Sequence, residues 1–197
     1  MGRLRVPALL LVLAAAAVAA GGAVWVHEAQ PTWWVRMWYP LQYRDVVVGY
    51  ARIYDLDPAL VAAVIYEESR FRREIRSEAG AIGLMQLLPA TARGIAERTG
   101  GARFRTADLL TADINVRYGC WYLRHLRRRY ADRADGDRLA LAAYNAGQAN
   151  VDRWIREAGP GPVRIRFAAT RAYVREVLAT RELYRRAYAS ELGYADA

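Results

Sequence analysis

Two adjacent carboxylates, Glu67 and Glu68, close an apolar helical run, and a glycine-punctuated segment follows them. After Ser69 and Phe71 come Ser77 and then Gly80-Ala81-Ile82-Gly83-Leu84-Met85-Gln86. About sixty residues further on stands Ala143-Tyr144-Asn145-Ala146-Gly147. The chain holds only three Ser, three Asn and no Lys, yet Ser69, Ser77, Asn115 and Asn145 all fall inside or between these segments. Small uncharged polar groups that are scarce elsewhere and concentrated here mark a site. Its chemistry centres on one carboxyl group.

Glu68 lies three residues after Ile65, four after Val64 and seven after Val61, which sets its carboxyl on an apolar stripe of a helix. A carboxyl held against apolar side chains is costly to ionise, so its pKa rises. That is what a general acid needs to hold its proton near neutral pH. Glu67 meets part of the same test through Ala63 and Val64. For either residue the alternative is a surface carboxylate paired with Arg70, Arg72 or Arg73. Spacing alone does not choose between them.

The elements that must position these groups read as helices. Leu41 to Tyr54 has helical spacing, and Asp57-Pro58 is a helix start, with Asp as N-cap and Pro at the first position. That helix runs to about Phe71, and Ser77 to Gly83 reads as a loop. Pro89 opens another helix, which Gly100-Gly101 ends. Residues 113–130 repeat apolar side chains at helical intervals, and 132–137 form a polar loop. Short helices span 139–146 and 151–157, and a last one covers about 168–189. No segment sustains the two-residue alternation of a half-buried strand, so the fold class is all-α.

At 197 residues the chain suits one sizeable core beyond its N-terminal segment. A net charge of +9, carried by 29 arginines, predicts affinity for polyanions. Cys120 is the only cysteine, which excludes an internal disulfide and a Cys-based zinc site. His27 and His125 are isolated and lack metal-ligand spacing, so neither a metal nor a cofactor is expected. Arg127-Arg128-Arg129 reads as a solvated helix face, with contact to an anionic polymer as the alternative.

Residues 6–26 are uncharged, about the length that crosses a bilayer as a helix. Arg3 and Arg5 before them place residues 1–5 in the cytoplasm and send the rest outside. Trp25, Trp33, Trp34, Trp38 and Tyr39 supply the rings found at membrane–water interfaces. The expectation is a single-pass membrane anchor over 6–26 that contacts lipid, a juxtamembrane segment over 27–40, a folded domain over 41–190 and a tail over 191–197. The alternative is a cleaved signal peptide with its site at Ala17-Val18-Ala19. An extracytoplasmic domain excludes nucleic acid as a partner.

Glu68-Ser69-x-Phe71, Ser77, Gly80-Ala81-x-Gly83-Leu84-Met85-Gln86-x-x-Pro89-x-Thr91-Ala92 and Ala143-Tyr144-Asn145-Ala146-Gly147 resemble the successive motifs of the lytic-transglycosylase SLT domain, glycoside hydrolase family 23. Asp113-Ile114-Asn115-x-x-x-Gly119-x-x-Tyr122-Leu123 and Phe167-x-x-Thr170-Arg171-x-Tyr173-Val174 match as well, and the resemblance covers about 41–188. It implies a lysozyme-like α fold and cleavage of peptidoglycan glycan strands. It also implies that Glu68 is catalytic and Glu67 is not, that Tyr144 orients Glu68, and that Ser77 contacts muramic acid while Met85, Gln86 and Asn145 shape the groove; for Met85 the alternative is a core side chain, and for Asn145 a helix C-terminal residue bonding backbone. Arg72-Arg73-Glu74 departs from the Asn-Pro that relatives often carry there. A hydrolytic glycosidase uses two carboxylates, and Glu78 and Asp113 are second candidates by position only. The resemblance instead implies attack by the sugar's own C6 hydroxyl. A hydrolytic muramidase of the same fold and a non-catalytic wall-binding protein are the alternatives.

Overall fold

The computed structural model describes residues 5–194, except for the side chains of 5–9, 23 and 27. The chain forms two compact units, residues 1–40 and 41–197.

In the first unit, α1 spans Arg5–Ala29 and α2 spans Thr32–Trp38. No helix among the described residues is long and apolar enough to cross a membrane. Part of the expected anchor, 6–9 and 23, lies outside the described side chains, as do residues 1–4 of the expected cytoplasmic end and 195–197 of the tail. The short α2 was not expected between Pro31 and Pro40; it leaves Trp33, Met37 and Trp38 exposed.

The second unit is helical: α3 (Arg44–Ile53), α4 (Pro58–Ser69), α5 (Pro89–Arg98), a 3₁₀ turn at Thr106–Leu110, α6 (Ala112–Arg129), α7 (Gly136–Ala146), α8 (Gln148–Ala158) and α9 (Ala168–Ala187). Among the described residues there is no strand, only isolated bridges at Arg76–Ile82 and Ile82–Leu87. α4 lies at the centre. Every residue from Ala59 to Ile65 is buried, so this helix is apolar all round and has no single apolar stripe. It packs on α3 and α9, while α7 bridges α6, α8 and α9. The Asp57 side chain caps α4 by accepting from the Ala59 N–H, as expected. It also takes ion pairs from Arg181 and Arg185 of α9 and a hydrogen bond from Tyr194, which ties the C-terminal segment to the start of the central helix.

Two sequence expectations change here. α7 begins at Gly136, inside the expected polar loop, because a Cβ at Gly136 would meet the Tyr130 carbonyl: only glycine allows the helix to start so close to the end of α6. The arginine run is also not simply a solvated face. Arg127 grips Asp137 with two hydrogen bonds and Arg129 grips Asp152 likewise, linking α6 to α7 and α8.

Candidate active site

α4 delivers its last turn to the site and then stops abruptly. Arg70 and Phe71 both take the left-handed conformation (φ 52° and 59°), which reverses the chain and drives Phe71 back into the core, edge-on to Tyr184. The Ser69 hydroxyl is spent on the Ile65 carbonyl. The two glutamates that spacing left undecided have different surroundings. Glu67 accepts a 2.7 Å hydrogen bond from the Thr180 hydroxyl of α9 and pairs with Arg70 at 3.4 Å. It is the ion-paired helix carboxylate.

Glu68 opens instead into a cleft of about 450 Å³, lined also by Ser77, Gln86, Tyr122, Tyr144 and Asn145. No other carboxylate among the described residues lines it. Its carboxyl is pushed up to about 7, chiefly because burial strips water from the anion; the neighbouring Tyr173 phenol draws it back and Glu67 adds to the rise. Near neutral pH the group is thus poised between donor and acceptor. Glu78 and Asp113 take no part: Glu78 is exposed, and Asp113 accepts a hydrogen bond from Tyr50 of α3 at 2.7 Å.

Facing Glu68 is the loop from Ile75 to Leu88, folded on itself by backbone bonds. Ser77 closes one turn: its hydroxyl and carbonyl accept from the N–H groups of Ala81 and Gly80, and its own N–H donates to the Ala81 carbonyl. Gly83 to Gln86 close a second turn, and Gly80 and Gly83 hold φ of 81° and 82°, where glycine is favoured. Asn115 on α6, wholly buried, pins the loop from beneath. It accepts from the Met85 N–H at 2.7 Å and donates to the Ile82 and Leu109 carbonyls at 2.8 and 2.9 Å.

Met85 therefore does not line the cleft. Its side chain is fully buried against Gly119 of α6, where any Cβ would collide with it, and its carbonyl accepts from the Tyr144 hydroxyl at 2.8 Å. Gln86 lines the cleft while its amide donates to the Ile75 and Gly83 carbonyls. The Asn145 amide oxygen accepts from the Thr170 hydroxyl of α9.

The Tyr144 hydroxyl, committed to Met85, braces the loop; burial and the charge of Glu68 raise its pKa. A second phenol, Tyr173 of α9, also interacts with Glu68, and that role was not read from the sequence. Its buried hydroxyl has no hydrogen-bond partner at bonding distance, yet it lies close enough to favour the Glu68 anion. A buried unpaired hydroxyl costs about 1–3 kcal/mol, and a carboxylate formed on Glu68 is the acceptor that would relieve it. The signal available in the sequence was Tyr173 standing three residues after Thr170 on one helix face. Replacing Tyr173 with Phe should raise the Glu68 pKa above about 7 and carry the alkaline limb of the pH–rate profile upward. An unmoved limb would mean that Tyr173 only fills space.

The family model for the Transglycosylase SLT domain matches residues 45–164, and the chain belongs to that family. The chain is 30% identical over 172 residues to the soluble lytic murein transglycosylase of Salmonella typhimurium, covering 83% of this chain and 25% of that protein. It is 33% identical over 114 residues to the membrane-bound lytic murein transglycosylase F of Cellvibrio japonicus, covering 56% and 21%. Among solved structures, the 70 kDa soluble lytic transglycosylase of Escherichia coli superposes with a TM-score of 0.70 at 28% identity, over 78% of this chain and 25% of that one. An inactive mutant of the lytic transglycosylase Slt from Pseudomonas aeruginosa gives 0.68 at 30% identity, over 82% and 26%. The chain thus spans about a quarter of the length of these relatives.

Proposed function

We propose that this protein is a peptidoglycan lytic transglycosylase, cleaving the bond between N-acetylmuramic acid and N-acetylglucosamine and closing a 1,6-anhydro ring on the muramic acid. The observation that carries the reading is a cleft lined by a single carboxyl, Glu68, held near pKa 7 by burial. Protonated Glu68 gives its proton to the glycosidic oxygen. The resulting carboxylate takes the C6 hydroxyl proton as that oxygen attacks the anomeric carbon. One carboxyl serves both steps because the substrate supplies the nucleophile already positioned. Ser77, Gln86 and Asn145, on the cleft wall, are placed to contact sugar; Met85 acts through its backbone and Tyr144 through the loop it braces.

Products should carry 1,6-anhydromuramic acid, lighter by one water than a hydrolytic product. Digestion of purified sacculi in oxygen-18 water reads the nucleophile directly. Label at the muramic acid anomeric carbon would make the enzyme a muramidase.

We further propose that residues 6–26 anchor the chain in the membrane, with residues 41–190 as an extracytoplasmic catalytic domain. Support comes from the uncharged run, the preceding arginines and the exposed Trp25, Trp33 and Trp38. The full chain should sediment with membranes and resist carbonate extraction, and protease added to protoplasts should reach the domain. A secreted form starting near Ala20 would show a cleaved signal peptide.

A further inference from the structure

Asn145 is exposed in the Glu68 cleft, and its amide has two ends of opposite chemistry, a carbonyl that accepts and an NH₂ that donates. Which end meets a ligand is set from behind. Thr170, in the first turn of α9 and only 2% exposed, donates its hydroxyl to the Asn145 Oδ1 at 2.8 Å. A helical Thr commonly returns its hydroxyl to the carbonyl three or four residues back. Here those carbonyls, of Phe167 and Arg166, take the Arg171 N–H and guanidinium. Asn145 Oδ1 is the acceptor that the Thr170 hydroxyl bonds among the described residues. Turning the amide over would set its NH₂ against Thr170 and strand a buried hydroxyl proton, which is costly. The start of α9 is itself held, by Phe167 packed edge-on to Trp154 of α8 at 5.1 Å and by Arg171 on the Ile165 carbonyl.

The consequence is directional. The Asn145 NH₂ has no protein acceptor among the described residues, so the cleft wall offers a hydrogen-bond donor at this point. A sugar hydroxyl both donates and accepts, and would be served by the amide either way round. An acetamido carbonyl only accepts and requires the orientation that Thr170 imposes. The ammonium left when an amino sugar loses its acetyl group only donates, and would meet the NH₂ donor to donor.

We propose that Thr170 is a positioning residue that locks the Asn145 amide as a donor, and that this lock makes the cleft select glycan strands with acetamido groups over N-deacetylated ones. The proposal rests on the peptidoglycan reading of the Glu68 cleft.

The test measures kcat and KM of the full-length protein on one preparation of soluble glycan strands, half of it treated with a deacetylase. Assays at about pH 6 keep the freed amines charged. The wild type should favour the acetylated strands about tenfold or more in kcat/KM. Thr170→Val, which keeps the shape and loses the donor, should raise KM for acetylated strands about fivefold, with kcat little changed. It should leave KM for deacetylated strands as it was, and Thr170→Ser should restore the wild-type ratio. Asn145→Asp keeps an acceptor for Thr170 but turns a carboxylate oxygen to the cleft, so it should reverse the preference in favour of deacetylated strands. Equal effects of Thr170→Val on both strands, or none on either, would reduce Thr170 to packing and overturn the proposal. Should Thr170→Val fail to fold, Asn145→Asp decides alone: reversal supports the lock, and a retained preference for acetylated strands overturns it. Wild-type cleavage of both strands at equal kcat/KM removes the selectivity and leaves the peptidoglycan reading standing. Cleavage of neither strand, with no binding of either to Glu68→Gln, removes both.

Discussion

Glu68→Gln should abolish glycan cleavage and, above neutral pH, make the protein more stable than the wild type. Gln keeps the shape of the side chain but has no proton to give. The stability gain follows from the raised pKa. The folded carboxyl titrates at about 7 against an ordinary 4.5, so the native state holds a proton across a window in which the unfolded chain has lost it. Stability from this group is therefore full below about pH 4.5, falls as pH rises through the window, and is lost above about 7. A shift of this size corresponds to about 3 kcal/mol, so the Tm of Glu68→Gln should exceed that of the wild type by about 6 °C or more at pH 8 and match it at pH 4. Glu67→Gln should show the opposite pattern, keeping most activity while losing about 1 kcal/mol, because its carboxylate is already committed to Thr180 and Arg70. Thermal melts and sacculus digestion at both pH values check all four expectations. An essential Glu67 and a dispensable Glu68 would reverse the assignment.

Asn115→Ala should be the most damaging change away from the cleft surface. It removes three hydrogen bonds and strips the Met85 N–H and the Leu109 carbonyl of the Asn115 amide, while the Ile82 carbonyl keeps the Leu87 N–H, a loss of about 3–5 kcal/mol. Turnover should fall with it even at temperatures where the protein stays folded, since the loop that carries Met85 and Gln86 loses its support. Gly83→Ala should be costly for a related reason: its Cβ would stand 2.5 Å from the Leu109 carbonyl and collide with the Asn115 amide, at a φ of 82°. The two changes share a contact, so the double variant should be less destabilised than the sum, by about 1–2 kcal/mol. Strict additivity in denaturant melts would show that Asn115 and the Gly83 turn do not meet.

Most helices were legible because their signals are local. Asp57-Pro58 caps and starts α4, Pro89 starts α5, and helical apolar spacing marks α6 and α9; these depend on neighbours a few residues apart. The start of α7 was misplaced because Gly136 looks like a loop residue until the Tyr130 carbonyl is seen against it. Clustering of rare polar residues pointed to the site region, Asn115 included, but not to what Asn115 holds. Met85 shows the limit of the motif itself: its side chain belongs to the core and only its carbonyl serves the site.

The sequence by itself determined that the chain is helical, that the carboxyls at the end of α4 are the candidates for a reactive group, and that a glycine-punctuated loop follows them. Spacing could not choose between Glu67 and Glu68, because a helix buried on all sides has no polar face from which to judge orientation; the resemblance of the motifs pointed to Glu68. The tertiary structure gave the two different surroundings, bringing Thr180, 113 residues away, to Glu67 and leaving Glu68 facing the cleft. It likewise brought Tyr173 near Glu68 from the far end of the chain. The pKa of Glu68 depends on what excludes water and on which dipoles replace it, and those groups come from α4, α7 and α9 at once. A property set by packing between distant segments has no local signature for the sequence to show.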